Sequence, residues 1–113
     1  MLYTIENKVL KIAADTSGAQ LQSVYSKTTE TEYLWQGNPD FWSGQAPVLF
    51  PIVGCLRNGT ATIGNSKTCS FGRHGLARKL EFTLVSSSET CAVYSLKADD
   101  STKEQYPYDF ELQ

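Results

Sequence analysis

His74 is the only histidine in the 113-residue sequence, and Arg78 follows it four residues later. An imidazole can donate or accept a proton near neutral pH, so it is suited to general acid–base chemistry. A guanidinium can donate two parallel hydrogen bonds to a phosphate or carboxylate group. His74 has no partner group beside it in the sequence, so it can equally be a solvated turn residue. Arg78 and Lys79 can equally be surface charges.

Two acidic pairs, Glu30 with Glu32 and Asp99 with Asp100, are of the residue type used by glycosidases and by calcium sites. Both pairs lie in polar stretches that offer no further ligands at fixed offsets. We therefore predict solvated loop charges at these positions and no metal site.

The three cysteines, Cys55, Cys69 and Cys91, are an odd number and lie far apart. They form neither a CxxC motif nor a closed set of disulfides. We predict reduced thiols in an intracellular protein, with Cys55 as a small buried residue.

Three aromatic residues, Trp35, Phe41 and Trp42, are close together in the sequence. The apolar face of a pyranose fits an aromatic plane, so these rings are candidates for stacking on a sugar. Aromatic side chains serve more often in packing, and we predict that these three pack in the core or at its rim.

Composition limits the protein to one domain or part of one, because 113 residues with 41% hydrophobic content provide a modest core. The net charge of -2, without a basic cluster, argues against nucleic acid and anionic membranes as partners. The N-terminus lacks the pattern of a secretory signal, and the most apolar stretch, residues 46–56, is too short to span a bilayer. These features predict a cytoplasmic protein.

Alternation of apolar and polar residues recurs along the chain, whereas no stretch combines helical periodicity with freedom from breakers. We predict an all-β fold of antiparallel strands with little or no helix. The predicted hairpins join residues 9–14 to 19–25 through Ser17-Gly18, residues 60–63 to 67–70 through Gly64-Asn65, and residues 79–84 to 91–96 through residues 86–89.

Three other segments complete the prediction. Residues 32–35 form a short strand. Residues 48–53 form an extended buried loop or a bulged edge, because Pro51 cannot donate to a central ladder. After a polar loop at 99–105, residues 106–112 begin a new strand that the chain end interrupts. We therefore expect residues 1–113 to be a single incomplete domain.

Three motifs occur in order along the chain, FWSGQAPVLFPIVG at 41–54, RHGLAR at 73–78 and YPYDF at 106–110. With these motifs the sequence resembles the aldose 1-epimerase family, and in particular its lactose-operon-associated bacterial branch. The resemblance implies the N-terminal part of a galactose mutarotase-like β-sandwich (supersandwich). It also implies an activity that interconverts the α and β anomers of a free or phosphorylated aldose without a cofactor.

The resemblance implies roles for four residues. His74 matches the histidine of the family's His-Gly-Phe/Leu-Ala-Arg motif in the sugar pocket, and Arg78 matches an arginine that meets phosphate in the hexose 6-phosphate branch. Many relatives have arginine in place of Gln45 and again in place of Cys55. Gln45 is therefore a substrate-binding candidate that departs from the pattern. Arg57 would lie on the same face as Cys55 in a regular strand and is the candidate substitute.

The family's second histidine and its glutamate base belong to the C-terminal part of the family domain. We therefore expect this chain alone to be inactive and leave open whether it is itself an enzyme. The alternatives are a hexose-6-phosphate 1-epimerase-like parent and a sugar-binding fragment without turnover. An incomplete sandwich also exposes strand edges, which predicts a homo-oligomer.

Overall fold

The computed structural model describes residues 1–64 and 66–113, and its first sheet is built from the N-terminal alternating segments. Four antiparallel strands pair in chain order, and they are β1 (Leu2–Glu6), β2 (Leu10–Asp15), β3 (Gln20–Ser26) and β4 (Thr31–Glu32). The predicted hairpin through Ser17-Gly18 is confirmed as β2–β3. Strand β1 was not predicted. The turn from β1 into β2 is closed by the Asn7 side chain, whose oxygen accepts from Val9 N–H and Leu10 N–H at 2.8 Å each.

Two smaller antiparallel sheets follow. The second contains β5 (Ala61–Ile63) and β6 (Lys67–Cys69), which confirms the hairpin predicted through Gly64-Asn65, although Asn65 itself lies outside the described residues. The third contains β7 (Thr83–Ser87), β8 (Ala92–Lys97) and β9 (Glu111–Leu112). The expected antiparallel strands with little helix are therefore confirmed.

The structure corrects four predicted elements. The strand predicted over 79–84 begins only at Thr83, because Ala77–Lys79 form a 3₁₀ turn. The strand at 32–35 is β4 and ends at Glu32. The polar loop at 99–105 contains a helical turn, α1 (Asp100–Lys103), because the side chain of Asp99 accepts from Thr102 N–H and completes a capping box. The strand predicted over 106–112 pairs only at β9, since the aromatic residues before it turn into a cluster.

The core joins the three sequence motifs. Ala77, Phe82 and Leu96 are buried at its centre, with Phe50 and Phe110 among the half-buried residues packed around them. The rings of Phe50 and Phe110 lie 4.8 Å apart between centroids. Phe50 comes from the first motif, Ala77 from the second and Phe110 from the third, so residues far apart in sequence meet at one point.

Residues 48–53 form no regular strand, as predicted, but they are not buried throughout, since Leu49 is 37% and Val53 75% exposed. The second motif holds their backbone. The Phe50 carbonyl accepts from Leu76 N–H at 2.8 Å and from Ala77 N–H at 3.2 Å, and the Phe50–Pro51 peptide bond is cis. Gly75 crosses this segment so closely that a Cβ on it would lie 2.2 Å from the Phe50 oxygen. The crossing therefore requires glycine at position 75.

The molecule is thin and measures 54 × 35 × 17 Å. Its radius of gyration is 16.5 Å, whereas a compact domain of this length has about 13 Å. Its accessible surface is 7459 Å², against about 6,200 Å² for a compact monomer of the same mass. Two apolar depressions remain open on it, one lined by Tyr3, Ile5, Ile12, Ala14, Ala19, Leu21, Ala92 and Tyr94, and one by Ala19, Val48, Phe82, Ala92, Val93, Tyr94, Leu112 and Gln113.

The first prediction concerns the crossing at Gly75. Gly75→Ala places a methyl group against the Phe50 carbonyl at a backbone φ of +79°, so we expect a loss of at least about 3 kcal/mol in unfolding free energy. Gly59→Ala is the matched control. Its φ is +75°, but among the described residues no atom lies within 4 Å of the added carbon, so only the left-handed strain of about 1–2 kcal/mol applies. If Gly75→Ala and Gly59→Ala had equal midpoints of urea unfolding, the close contact between Gly75 and the Phe50 carbonyl would be contradicted.

Candidate functional site

His74 is held against the segment at Gly54 by two reciprocal hydrogen bonds. Its backbone N–H donates to the Gly54 carbonyl at 2.7 Å, and Gly54 N–H donates to the ring Nδ1 of His74 at 2.8 Å. His74 adopts a φ of +67°, in the left-handed region. The imidazole is half-buried and fixed in orientation by backbone groups.

These contacts set the chemistry that the ring can perform. Because Nδ1 of His74 accepts a hydrogen bond, the proton of the neutral ring lies on Nε2. Nε2 is then the atom left to donate to a ligand. A fixed N–H donor can polarise an oxygen of a bound molecule, which is the role implied by the family motif.

Arg78 lies four residues further on, in a 3₁₀ turn over Ala77–Lys79. The backbone of Arg78 packs against the β2–β3 turn, where a Cβ on Gly18 would lie 2.7 Å from the Arg78 carbonyl oxygen. Arg78 is half-buried and Lys79 is exposed. Among the described residues no carboxylate forms an ion pair with Arg78. This guanidinium is therefore available to an anionic group.

The side-chain amide of Gln45 forms hydrogen bonds to the backbone of neighbouring segments. Its Nε2 donates to the carbonyls of Gln22 in β3 and Trp35, each at 3.1 Å. Both N–H groups of the amide are thus occupied by backbone. Only the amide oxygen of Gln45 is left for a ligand.

Arg57 does not lie in a strand, so the alternation argument that related it to Cys55 was wrong. Residues Arg57–Gly59 form a 3₁₀ turn, and Arg57 is exposed. Cys55 is also exposed, against the expectation of a buried residue. The structure thus brings His74 beside Gly54 and places Arg78 on the same crossing segment, whereas Arg57 and Gln45 are held by separate local structures.

Glu32 accepts several hydrogen bonds within the fold, a structural role that was not predicted from the sequence. Its carboxylate accepts from the Ser23 hydroxyl at 2.5 Å, from Val24 N–H at 2.8 Å and from Leu34 N–H at 2.9 Å. The Ser23 hydrogen bond contributes most to lowering the pKa of Glu32, and the backbone N–H groups lower it further. The prediction of a solvated charge was therefore wrong here, since this carboxylate connects the end of β4 to β3.

Asp99 is exposed, as expected of a solvated charge, and its side chain also caps α1. The Thr102 N–H, followed by the Ser101 hydroxyl, lowers the pKa of its carboxyl group. No cluster of three histidine, cysteine or acidic side chains that could hold a metal ion occurs in the part of the chain that the structure describes. The same part contains no helix long and apolar enough to cross a membrane.

Three aromatic residues, Trp35, Phe41 and Trp42, lie outside the core, at the surface. Their exposed fractions are 42%, 81% and 52%. The rings of Trp35 and Phe41 meet edge to face at 6.3 Å between centroids. The core alternative is therefore wrong, and these rings form part of the surface.

Comparisons with known proteins agree with this geometry. The sequence model of the aldose 1-epimerase family matches residues 1–113. The plasmid-encoded and chromosomal LacX proteins of Lactococcus lactis are each 40% identical over 116 residues, which covers 99% of this chain and 38% of LacX. The chain thus spans 38% of the length of these curated relatives.

Solved structures match the fold closely. A galactose mutarotase-related enzyme from Lactobacillus acidophilus has 41% identity and a TM-score of 0.92, covering 98% of this chain and 37% of that one. A galactose mutarotase-like protein from Lactobacillus casei has 31% identity and the same TM-score and coverage. The expected galactose mutarotase-like fold is confirmed.

The second prediction concerns the tautomer of His74. Because Gly54 N–H occupies Nδ1, the neutral ring should give the ¹⁵N chemical-shift pattern of the Nε2–H tautomer in a long-range ¹H–¹⁵N spectrum at pH 8. The signal is unambiguous because the sequence contains one histidine. An Nδ1–H pattern would contradict the hydrogen bond and with it the assignment of Nε2 as the donor.

Proposed function

This chain belongs to the aldose 1-epimerase family, and from that premise we propose that it is the N-terminal part of a carbohydrate-binding protein that interconverts the α and β anomers of an aldose. The observation that carries the proposal is the fixed His74 ring, whose Nδ1 accepts from Gly54 N–H so that the Nε2–H group is left to donate to a ligand. The chain spans 38% of LacX, which supports a further proposal that this chain alone is inactive.

The proposed reaction opens and recloses the sugar ring. A general base removes the proton of the C1 hydroxyl while a general acid protonates the ring oxygen, and the bond between C1 and the ring oxygen breaks. Rotation about the C1–C2 bond lets the ring oxygen attack the other face of C1, and both protons return to their original partners. His74 donates from Nε2 and polarises the ring-oxygen region. The second histidine and the glutamate base come from the C-terminal part of the family domain.

A phosphorylated aldose is the second candidate substrate. It is supported by Arg78, a half-buried residue whose guanidinium has no ion-pair partner in the described ranges 1–64 and 66–113. A guanidinium in that state is suited to a phosphate ester. We also propose that the protein acts in the cytoplasm, which its three free thiols support.

The third prediction tests turnover. Freshly dissolved α-D-glucose, α-D-galactose and α-D-glucose 6-phosphate should mutarotate at their uncatalysed rates in the presence of this chain, as followed by polarimetry or NMR. We expect this result because the second histidine and the glutamate base of the family belong to the C-terminal part of the family domain.

The matched variant is His74→Ala at equal concentration. Acceleration that the variant abolishes would overturn the proposed inactivity and place an active site at His74. Acceleration that the variant retains would overturn the role of His74 as well. Saturable sugar binding in NMR titrations, without faster mutarotation, would support the proposal that this chain is an inactive, sugar-binding part of an epimerase.

We further propose that the chain forms a homodimer through its open apolar depressions. The accessible surface of 7459 Å² exceeds that of a compact monomer by about 1,200 Å². A standard stable interface buries about 800 Å² on each partner. The excess surface is therefore large enough for a second copy to cover.

The fourth prediction tests this dimer. Light scattering coupled to gel filtration should give twice the monomer mass, and Leu21→Lys should give the monomer, because Leu21 is 38% exposed and lines one of the depressions. Val85→Lys is the control, since Val85 is exposed but lies outside both depressions. A monomer before substitution, or dissociation in both variants, would contradict the proposed interface.

A further inference from the structure

The side-chain contact between His74 and Gly54 can exist only while the histidine ring is neutral. Gly54 N–H donates to Nδ1 of His74 at 2.8 Å, so this nitrogen carries a lone pair. A histidine ring gains a second proton within the physiological pH range, and both of its nitrogens are then donors. Protonation of Nδ1 would place its new N–H group against Gly54 N–H. The hydrogen bond that orients the ring is therefore lost when one proton is taken up.

The two segments that meet at His74 provide no acidic side chain that could accept from the protonated ring. Residues 41–80 include both segments and contain neither aspartate nor glutamate. The titratable and charged side chains on either side of the contact are Cys55, Arg57, Arg73, Arg78 and Lys79. In the described ranges of the chain no carboxylate forms an ion pair with His74. A charged ring would thus lose the Gly54 contact without gaining an acidic partner in its place.

The carboxylates of the elements packed around the crossing have partners of their own. Asp15 lies before the β2–β3 turn on which the backbone of Arg78 packs, and it pairs with the N-terminal amine at 2.8 Å. Glu81 accepts from the buried Thr16 hydroxyl. The third motif, which packs against Phe50, carries the titratable side chains Tyr106, Tyr108 and Asp109, and Asp109 pairs with Lys103. These acidic groups are therefore engaged in other contacts.

The backbone at Gly54 has room to separate from the ring. Among the described residues no atom lies within 4 Å of a Cβ built on Gly54, and its φ is +81°. The residues on either side of it, Val53 and Cys55, are exposed. The backbone N–H of His74 donates to the Gly54 carbonyl at 2.7 Å and does not titrate. Loss of the side-chain hydrogen bond therefore frees the ring while this backbone bond holds the two segments together.

We propose that His74 and Gly54 form a proton-sensitive contact, in which the neutral ring is held by Gly54 N–H and protonation of Nδ1 releases the ring from it. The held ring presents one donor, Nε2–H, in a fixed place. The released ring carries a positive charge and two donors without a fixed orientation. The meaning of this release for a ligand rests on the proposed function, because only the held ring has the orientation that polarises the ring-oxygen region of a sugar.

The fifth prediction follows this contact by NMR of the ¹⁵N-labelled chain. While the ring is neutral, a scalar coupling across the hydrogen bond should connect the amide nitrogen of Gly54 with Nδ1 of His74. As the pH is lowered, the coupling should disappear and the Gly54 amide proton should move to lower chemical shift. Both changes should follow the same titration curve as the ring C–H signals of His74, which are unambiguous because the sequence has one histidine.

His74→Asn is the matched variant. Asparagine adopts a positive φ more readily than most residues, and its Oδ1 can replace Nδ1 as the acceptor but does not titrate. The Gly54 amide of this variant should keep its chemical shift over the same pH range. The amides of Leu76 and Ala77, which donate to the Phe50 carbonyl, are the internal control and should not shift in either protein.

Several outcomes would overturn the proton-sensitive contact. These are absence of the coupling while the ring is neutral, a coupling that persists after the ring is protonated, and a pH-dependent Gly54 shift that His74→Asn retains. A common shift of Gly54, Leu76 and Ala77 would also overturn it, because acid would then loosen the whole crossing. No sugar and no turnover enter these measurements, so a failure of the epimerase proposal leaves their result unchanged.

Discussion

The carbonyl oxygen of Phe50 is the point on which the described structure depends. It accepts the N–H groups of Leu76 and Ala77 and lies against the bare Cα of Gly75. The ring of Phe50 meets those of Tyr106 and Phe110 at 5.5 and 4.8 Å between centroids. Backbone and side chain of one residue thus connect three segments that are separated by more than 20 residues in sequence, and the buried cluster forms around them.

The geometry of His74 follows from this crossing. With Gly75 pressed against Phe50, the preceding residue adopts a left-handed conformation and its backbone faces Gly54. The ring then accepts from Gly54 N–H, which selects the tautomer. The same crossing that closes the core therefore lies next to the residue whose ring orientation and tautomer are fixed by the backbone.

The sequence predicted hairpins well, because alternation and turn residues are local signals. It failed at β1, where the turn is closed by the Asn7 side chain, and at α1, where a capping box of Asp99 and Thr102 organises a single turn. It also failed at Glu32, because the structural role of that carboxylate depends on hydrogen bonds from two backbone N–H groups that come together only in the folded chain. Such features arise from side chain to backbone hydrogen bonds, which periodicity does not reveal.

The candidate site likewise combines residues that the sequence identified with contacts that only the folded structure shows. His74 and Arg78 were found through a motif, and the structure explains why their segment is held so closely. Gln45 raises a different question, since the resemblance gives arginine at this position in many relatives. An amide carries no charge, and both of its N–H groups are bonded to backbone carbonyls near Trp35. In this chain the residue at position 45 therefore stabilises the loop that contains Trp35.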